Sequence, residues 1–303
     1  MTSVLSNRAD VYQSVTNKII QAIEAGAGDF VMPWHRKGPA IGRPTNAATT
    51  MPYRGVNVVA LWAESMLAGY DSGHWASYKQ WQRVGGQVRK GEHGTTIVFF
   101  RELEPKEAGD GNDGEEPQRR IYASASFVFN AAQVDGWSPP APPPPIEPAE
   151  ISWEAERFVR GTGAAIEYGG DVACYRRRED LIQMPERSAF VGTPTSSPTE
   201  SYYATLLHEL THWTGAPHRL NRTVGQRFGD EAYAAEELVA ELGAAFLCAD
   251  LGIANEPRAD HAAYVAHWLK LLADDRKAIF YAAREANHAT ACLHELVAES
   301  GLG

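Results

Sequence analysis

Residues 197–215 read Ser197-Pro-Thr-Glu200-Ser-Tyr-Tyr-Ala-Thr-Leu-Leu-His208-Glu209-Leu-Thr-His212-Trp-Thr-Gly215. Ser197 is a capping residue, Pro198 suits the first helical position and Glu200 can reach back to the cap, so the spacing predicts a helix from there to Gly215. Inside it lies His208-Glu209-Leu210-Thr211-His212, an HExxH motif. A four-residue separation on a helix puts both imidazoles on one face, which suits two ligands of a tetrahedral zinc ion, with another divalent metal as the alternative. Glu209, beside the first ligand, is placed as general base toward water activated by the ion.

Two residues compete for the third ligand. Taken literally, His208 to His218 spells HExxHxxGxxH with Gly215 at the turn, a pattern that requires a Met-turn further on. The methionines are Met1, Met32, Met51, Met66 and Met184, all upstream. The competitor is a glutamate on a later helix, expected from Asp230 to about Leu251 and closed by Gly252. Glu237 and Glu241 stand four apart on it, beside an apolar stripe of Leu238, Leu242, Ala245 and Phe246. A carboxylate pair on so apolar a helix is costly unless something pairs with it, so Glu237 is assigned as third ligand and Glu241 as acceptor for a ligand imidazole. Glu236 is left to the solvated face, and His218 remains the competing ligand. Tyr233 or His218 is the candidate donor to an oxyanion.

Outward from this region the second half reads as mainly helical, with two further helices fitting Ala259 to Ala273 and Arg276 to Leu293. Upstream, Trp137-Ser-Pro-Pro-Ala-Pro-Pro-Pro-Pro-Ile-Glu-Pro148 reads as a polyproline spacer. The expected organisation is therefore a first domain over residues 1–136, a Pro-rich linker over 137–150 and a metal-binding domain over 151–303. The first domain mixes helix and strand. Val11, Val15, Ile19 and Ile23 repeat every four residues up to Gly26, a second helix fits Val56 to Leu67, and Ser77 with Gln80 forms a capping box. Thr96-Ile-Val-Phe-Phe100 and Tyr122 to Phe129 read as strands on either side of an acidic, Gly-rich loop. The fold class is α+β.

Charge separates the halves. Up to Gly136 there are 14 Lys and Arg against 14 Asp and Glu, whereas the remainder carries 14 against 24 and with them the whole net charge of −10. Seven of the first-half acids cluster between Glu102 and Glu116; without that insert the first half has 13 bases against 7 acids. An anionic partner is expected for it. Between His74 and Arg101, Trp75, Tyr78 and Trp81 alternate with Lys79, Arg83, Arg89 and Lys90, and Trp34, Arg36, Lys37, Arg43, Tyr53, Arg54 and Asn57 precede them. Cationic grooves with aromatic faces bind single strands without reading sequence, so these residues are the candidate interface for single-stranded DNA. The bland alternative makes the tryptophans core and the bases ordinary surface.

No apolar run approaches a membrane span, the N-terminus lacks the pattern of a secretory signal, and Cys174, Cys248 and Cys292 form no disulfide framework. A cytoplasmic protein with no membrane partner is expected.

Several stretches together resemble a known family. Tyr53-Arg-Gly-Val-Asn57, Tyr78-Lys-Gln80, Gly85-Gly-Gln-Val-Arg-Lys-Gly-Glu92 and Phe127-Val-Phe-Asn130 are similar to the N-terminal domain of the ArdC antirestriction proteins. Tyr202 to Gly215, Arg219-Leu-Asn-Arg222 and Glu237 to Phe246 are similar to the zincin-like domain that follows it. The resemblance implies a plasmid-encoded protein that binds single-stranded DNA and helps conjugating DNA escape host restriction, with His208, His212 and Glu237 as metal ligands and Glu209 as catalytic glutamate. Three functions stay open: a DNA-binding protector, a zinc metallopeptidase of gluzincin type brought to DNA to cleave a host or restriction protein, and a scaffold with a degenerate metal site.

Overall fold

The computed structural model describes residues 3–27, 31–35, 42–103, 120–140, 148–192, 196–223, 227, 231–255 and 261–301. The acidic insert, most of the polyproline run and Arg36 with Lys37 lie outside them.

The first half opens with helix α1 (Ser3–Gly26), whose four-residue apolar repeat buries Val15, Ile19 and Ile23. Helix α2 (Val56–Ala68) ends on Gly69 in the left-handed conformation. A four-stranded sheet follows in the order β1 (Thr45–Asn46), β2 (His74–Ala76), β5 (Arg120–Asn130), β4 (Thr95–Leu103). β1 and β2 run parallel; β4 and β5 form a long antiparallel ribbon from Thr95↔Val128 to Leu103↔Arg120. Short helix α3 (Tyr78–Arg83) and a small ribbon of β3 (Gln87–Val88) with β6 (Val134–Asp135) close one end.

In the second half, α4 (Pro148–Gly161) leads into a three-stranded sheet. Its strands are β7 (Ala165–Tyr168), β8 (Cys174–Arg176) and β9 (Leu181–Met184), ordered β7-β9-β8. These strands are short, so no clear period-2 pattern announces them. The motif helix α5 (Pro198–Thr214) starts at the capping box foreseen, with Ser197 Oγ accepting from Glu200 N at 3.2 Å and Glu200 Oε2 accepting from Ser197 N at 2.8 Å. Helices α6 (Ala232–Leu251), α7 (His261–Asp274) and α8 (Ala278–Glu299) complete the fold, α6 closing on Gly252 in the left-handed conformation.

Helix α6 is buried on nearly every side, the condition of a central helix. One flank, with Leu238, Leu242 and Phe246, packs into an apolar cluster shared with Ile19 of α1 and Val58, Val59 and Trp62 of α2. Another, with Ala244, Leu247 and Cys248, packs with Leu206 and Leu210 of α5 and with Ile182 of β9. The first cluster thus draws residues from both halves. Gly243 permits the close crossing of α5 and α6: a Cβ there would fall 2.4 Å from Thr211 Cγ2.

Candidate metal centre and nucleic-acid interface

The crossing of α5 and α6 brings His208, His212 and Glu237 together, with one ligand atom from each lying within 4.8 Å of the others. The two Nε2 atoms face each other at 3.2 Å, and Glu237 stands 3.5 Å from His208 Nε2 and 3.6 Å from His212 Nε2. Each imidazole is held from behind through Nδ1. Glu241 Oε1 lies 3.1 Å from His208 Nδ1, close enough for an ion pair though misaligned for a straight hydrogen bond. Glu236 Oε1 lies 3.2 Å from His212 Nδ1. Carboxylates at Nδ1 favour the Nδ1–H tautomer and turn both Nε2 lone pairs toward one point, the outer support that ligand histidines require.

Glu236 is therefore not on a solvated face. Its carboxylate is gripped by Arg222, which donates from Nη2 at 2.7 Å and from Nε at 2.9 Å. The guanidinium also donates to Thr211 O and Thr214 Oγ1, and its side chain is fully buried. Nothing in the spacing singled out Arg222, because it lies in the turn after α5 and meets α6 only through the fold. Burial works against the Glu236 carboxylate, but hydrogen bonds from His212 and Arg222 outweigh it and bring its pKa down to about 2. Burial likewise opposes charge on Glu237, and His208 and His212 hold it well below the ordinary carboxylate range. For His212, desolvation opposes charge, but Glu236 and Glu237 outweigh it and raise its pKa, so a divalent ion on Nε2 would have to take the place of a proton there.

Glu209 and the three candidate ligands line an open cleft of about 1220 Å³. One wall is strand β8 with the segment before it; another carries Tyr233 and Tyr264, whose hydroxyls lie 2.9 Å apart. Tyr233 is 65% exposed. His218 is outside the cluster: its Nε2 lies 3.1 Å from Asp180 and its side chain is 61% exposed, so it does not compete for the third position.

The expected DNA-binding residues divide. Trp34, Trp75 and Trp81 are fully buried, so none offers a ring face to a base, and the expectation that they do is corrected. Trp34 packs edge-on against Trp268, Trp75 sits in the central strand β2, and Trp81 donates from its indole to Phe129 O at 3.0 Å. Asn57 is corrected too. Its amide donates to Val98 O and its oxygen accepts from Val98 N, both at 2.8 Å, completing the free edge of β4. Arg89 is exposed but committed to Glu92, Asp135 and Ala132 O. Tyr78, Lys79, Arg83, Arg54 and Lys90 are exposed, Tyr53 is half-buried, and Arg36 lies outside the described residues. Composition gave no sign of the exposed Phe99, Phe100 and Phe127 on the β4–β5 ribbon.

Two family models match this chain: the N-terminal domain of anti-restriction factor ArdC over residues 9–129, and a zincin-like metallopeptidase over residues 153–285. The uncharacterized protein y4eC of Sinorhizobium fredii (strain NBRC 101917 / NGR234) is 46% identical over 289 residues, which cover 94% of this chain and 92% of y4eC. A DNA primase TraC of Escherichia coli is 36% identical over 296 residues, 91% of this chain but only 26% of the primase. Among solved structures, the metal-free antirestriction protein ArdC from plasmid R388 is similar at a TM-score of 0.76 and 39% identity, covering 96% of this chain and 98% of that one. The Mn(II)-bound structure of the same R388 protein is similar at a TM-score of 0.71.

Proposed function

Because this chain belongs to the family of ArdC antirestriction proteins, we propose that it binds single-stranded DNA without strong sequence preference and protects incoming conjugative DNA from host restriction, its second half being a metallopeptidase unit. The observation that carries the reading is the convergence of two Nε2 atoms and one carboxylate in a cleft that also contains Glu209. The donor set fits one divalent ion: two imidazoles and a carboxylate with an open approach is a gluzincin arrangement, and the carboxylates of Glu241 and Glu236 stand 3.1 and 3.2 Å from the two Nδ1 atoms, on the side away from the ion. His208, His212 and Glu237 would hold zinc, or manganese in its place. When bound, such an ion polarises a carbonyl and makes water more acidic.

The chain's own residues do the rest. Glu209 accepts the proton of the attacking water and returns it to the leaving amine. Tyr233 brings a hydroxyl on the cleft wall that can donate to an oxyanion, and Tyr264 anchors it at 2.9 Å. Strand β8 favours the narrower reading of a DNA-recruited peptidase acting on a host or restriction protein. It is the edge of its sheet and lines the cleft, so an extended peptide can add to it by main-chain hydrogen bonds.

Plasmid transfer into restricting and non-restricting recipients, with wild type and Glu209→Gln, tests these roles once equal folding, metal content and DNA binding are established. Lost protection assigns hydrolysis to the function. Unchanged protection would leave a DNA shield and overturn the peptidase role.

A further inference from the structure

Between the turn after β1 and the β4–β5 ribbon lies a groove of about 480 Å³, within the range of small-ligand pockets. One face of the ribbon, set by the alternation of side chains, carries Ile97 and Val128, both buried in a small core with Leu61 and Trp75. Two residues further along β4 the same face leaves the core at Phe99, which is 47% exposed. Met51, 57% exposed, stands at the rim. Single exposed apolar side chains are ordinary, but here two of them border one groove.

The groove is built rather than incidental. Asn46 Oδ1 accepts from Ala48 N and Thr49 N, while its amide donates to Tyr53 Oη at 3.2 Å and Gln80 Oε1 at 3.3 Å, tying the turn to α3. Thr50 adopts φ +59° to complete that turn, a strained choice for a β-branched residue, and it places Met51. Gln80 Oε1 is further engaged by Ser77 N and Ser77 Oγ, so the hydrogen-bonding capacity left on this amide is its Nε2–H donors.

The charge is of one sign. Among the described residues, Lys79 and Arg83, four apart on α3 and both exposed, are the ionic residues of the wall, no acid lines the groove, and neither base makes an ion pair. Arg89 nearby is neutralised by Glu92 and Asp135 and has no such freedom. Free cations beside an exposed aromatic face and amide donors are the elements of a single-strand site.

Resting on the proposed DNA-binding function, we infer that this groove is where the strand is held. An unstacked base lies against Phe99 and Met51, with its flanking phosphates on Lys79 and Arg83. The buried tryptophans have no part in it. The test is binding of the full chain to a fluorescent oligothymidylate over a salt series, with Phe99→Ala, Lys79→Ala/Arg83→Ala and, as control on the opposite face of the ribbon, Phe127→Ala. Phe99→Ala is expected to weaken binding about tenfold, the scale of one base–aromatic stack, and to have no effect on an oligomer of abasic sites. The double variant should flatten the log–log salt slope by about 1.4, roughly 0.7 for each lost phosphate contact on a single strand. Phe127→Ala should bind as wild type.

If wild type binds and the groove variants bind equally well, or Phe127→Ala weakens as much, the groove assignment is overturned while the DNA-binding function stands. If wild type shows no salt-dependent binding, that function falls and the inference with it. Should Phe99→Ala fail to fold, photocrosslinking wild type to an oligonucleotide containing 5-iododeoxyuridine supplies the answer. Adducts on the peptides bearing Phe99 or Met51 support the assignment, and adducts confined elsewhere refute it.

Discussion

Arg222 closes on Glu236 with two N–H bonds, at 2.7 and 2.9 Å, and the carboxylate so fixed stands 3.2 Å from His212 Nδ1. A candidate ligand histidine is thus oriented by an arginine fourteen residues before the glutamate that links them. Glu236→Ala should lower metal affinity roughly 10–100-fold, the usual cost of losing such a partner. Competition against a chromogenic chelator measures it. Glu231→Ala, which among the described residues removes the surface pair with Lys270, should leave affinity unchanged; equal losses in both would refute the assignment.

Gly243 sets the distance between the helices that carry the candidate ligands. Gly243→Ala would press a methyl into Thr211, so it is expected to cost about 1–3 kcal/mol by overpacking and to weaken metal binding as the ligands are driven apart. Thr211→Ala makes room, and the double variant should recover part of the lost stability and affinity in thermal melts and metal titrations. A double variant that is simply the sum of two losses would argue against the crossing as the cause.

Asp180 gives a pH signature away from the metal centre. Hydrogen bonds from Arg219, together with Tyr175 and His218, hold its carboxyl below the usual range. A lowered folded pKa contributes stability above the unfolded value, about 3.9, and that stability is lost as pH falls through the folded value. Asp180→Asn keeps the side chain suited to the positive φ of 53° and removes the charge. The Tm difference between wild type and Asp180→Asn should be steady from pH 7 to about 5 and shrink below about 4. A difference that grows on acidification would contradict it.

Trp34 is expected to act through packing alone. Trp34→Ala should destabilise by about 3–5 kcal/mol, because a fully buried ring against Trp268 is removed. Trp34→Phe, which refills most of the space, should bind oligonucleotides like wild type. Weakened binding by a Trp34→Phe protein of normal stability would restore the ring to the interface.

Legibility in the sequence followed the range of the interactions. The start of α5 was readable because Ser197 and Glu200 act within one turn, and the end of α6 because Gly252 alone relieves the left-handed cap. The convergence of the two histidines with Glu237 was readable because helical period fixes faces. Glu236 was misread because adjacent positions on α6 differ by about 100° in direction, and the sequence does not say that Arg222 approaches from that side. The tryptophans were misread for a related reason. Strand β2 is only three residues long, too short for alternation to reveal which way Trp75 points, and Phe99 is told from Ile97 only by where the cover from Leu61 and Trp75 ends.

The apolar cluster that runs from Ile19 and Trp62 to Leu238 and Phe246 also constrains how such a protein can change over generations. Recombination that exchanged one half would leave a greasy surface facing a stranger, whatever the length of the proline-rich connection. The packing therefore makes the two halves a matched pair, and a substitution on the α2 face acts on the helix bearing Glu237 as well.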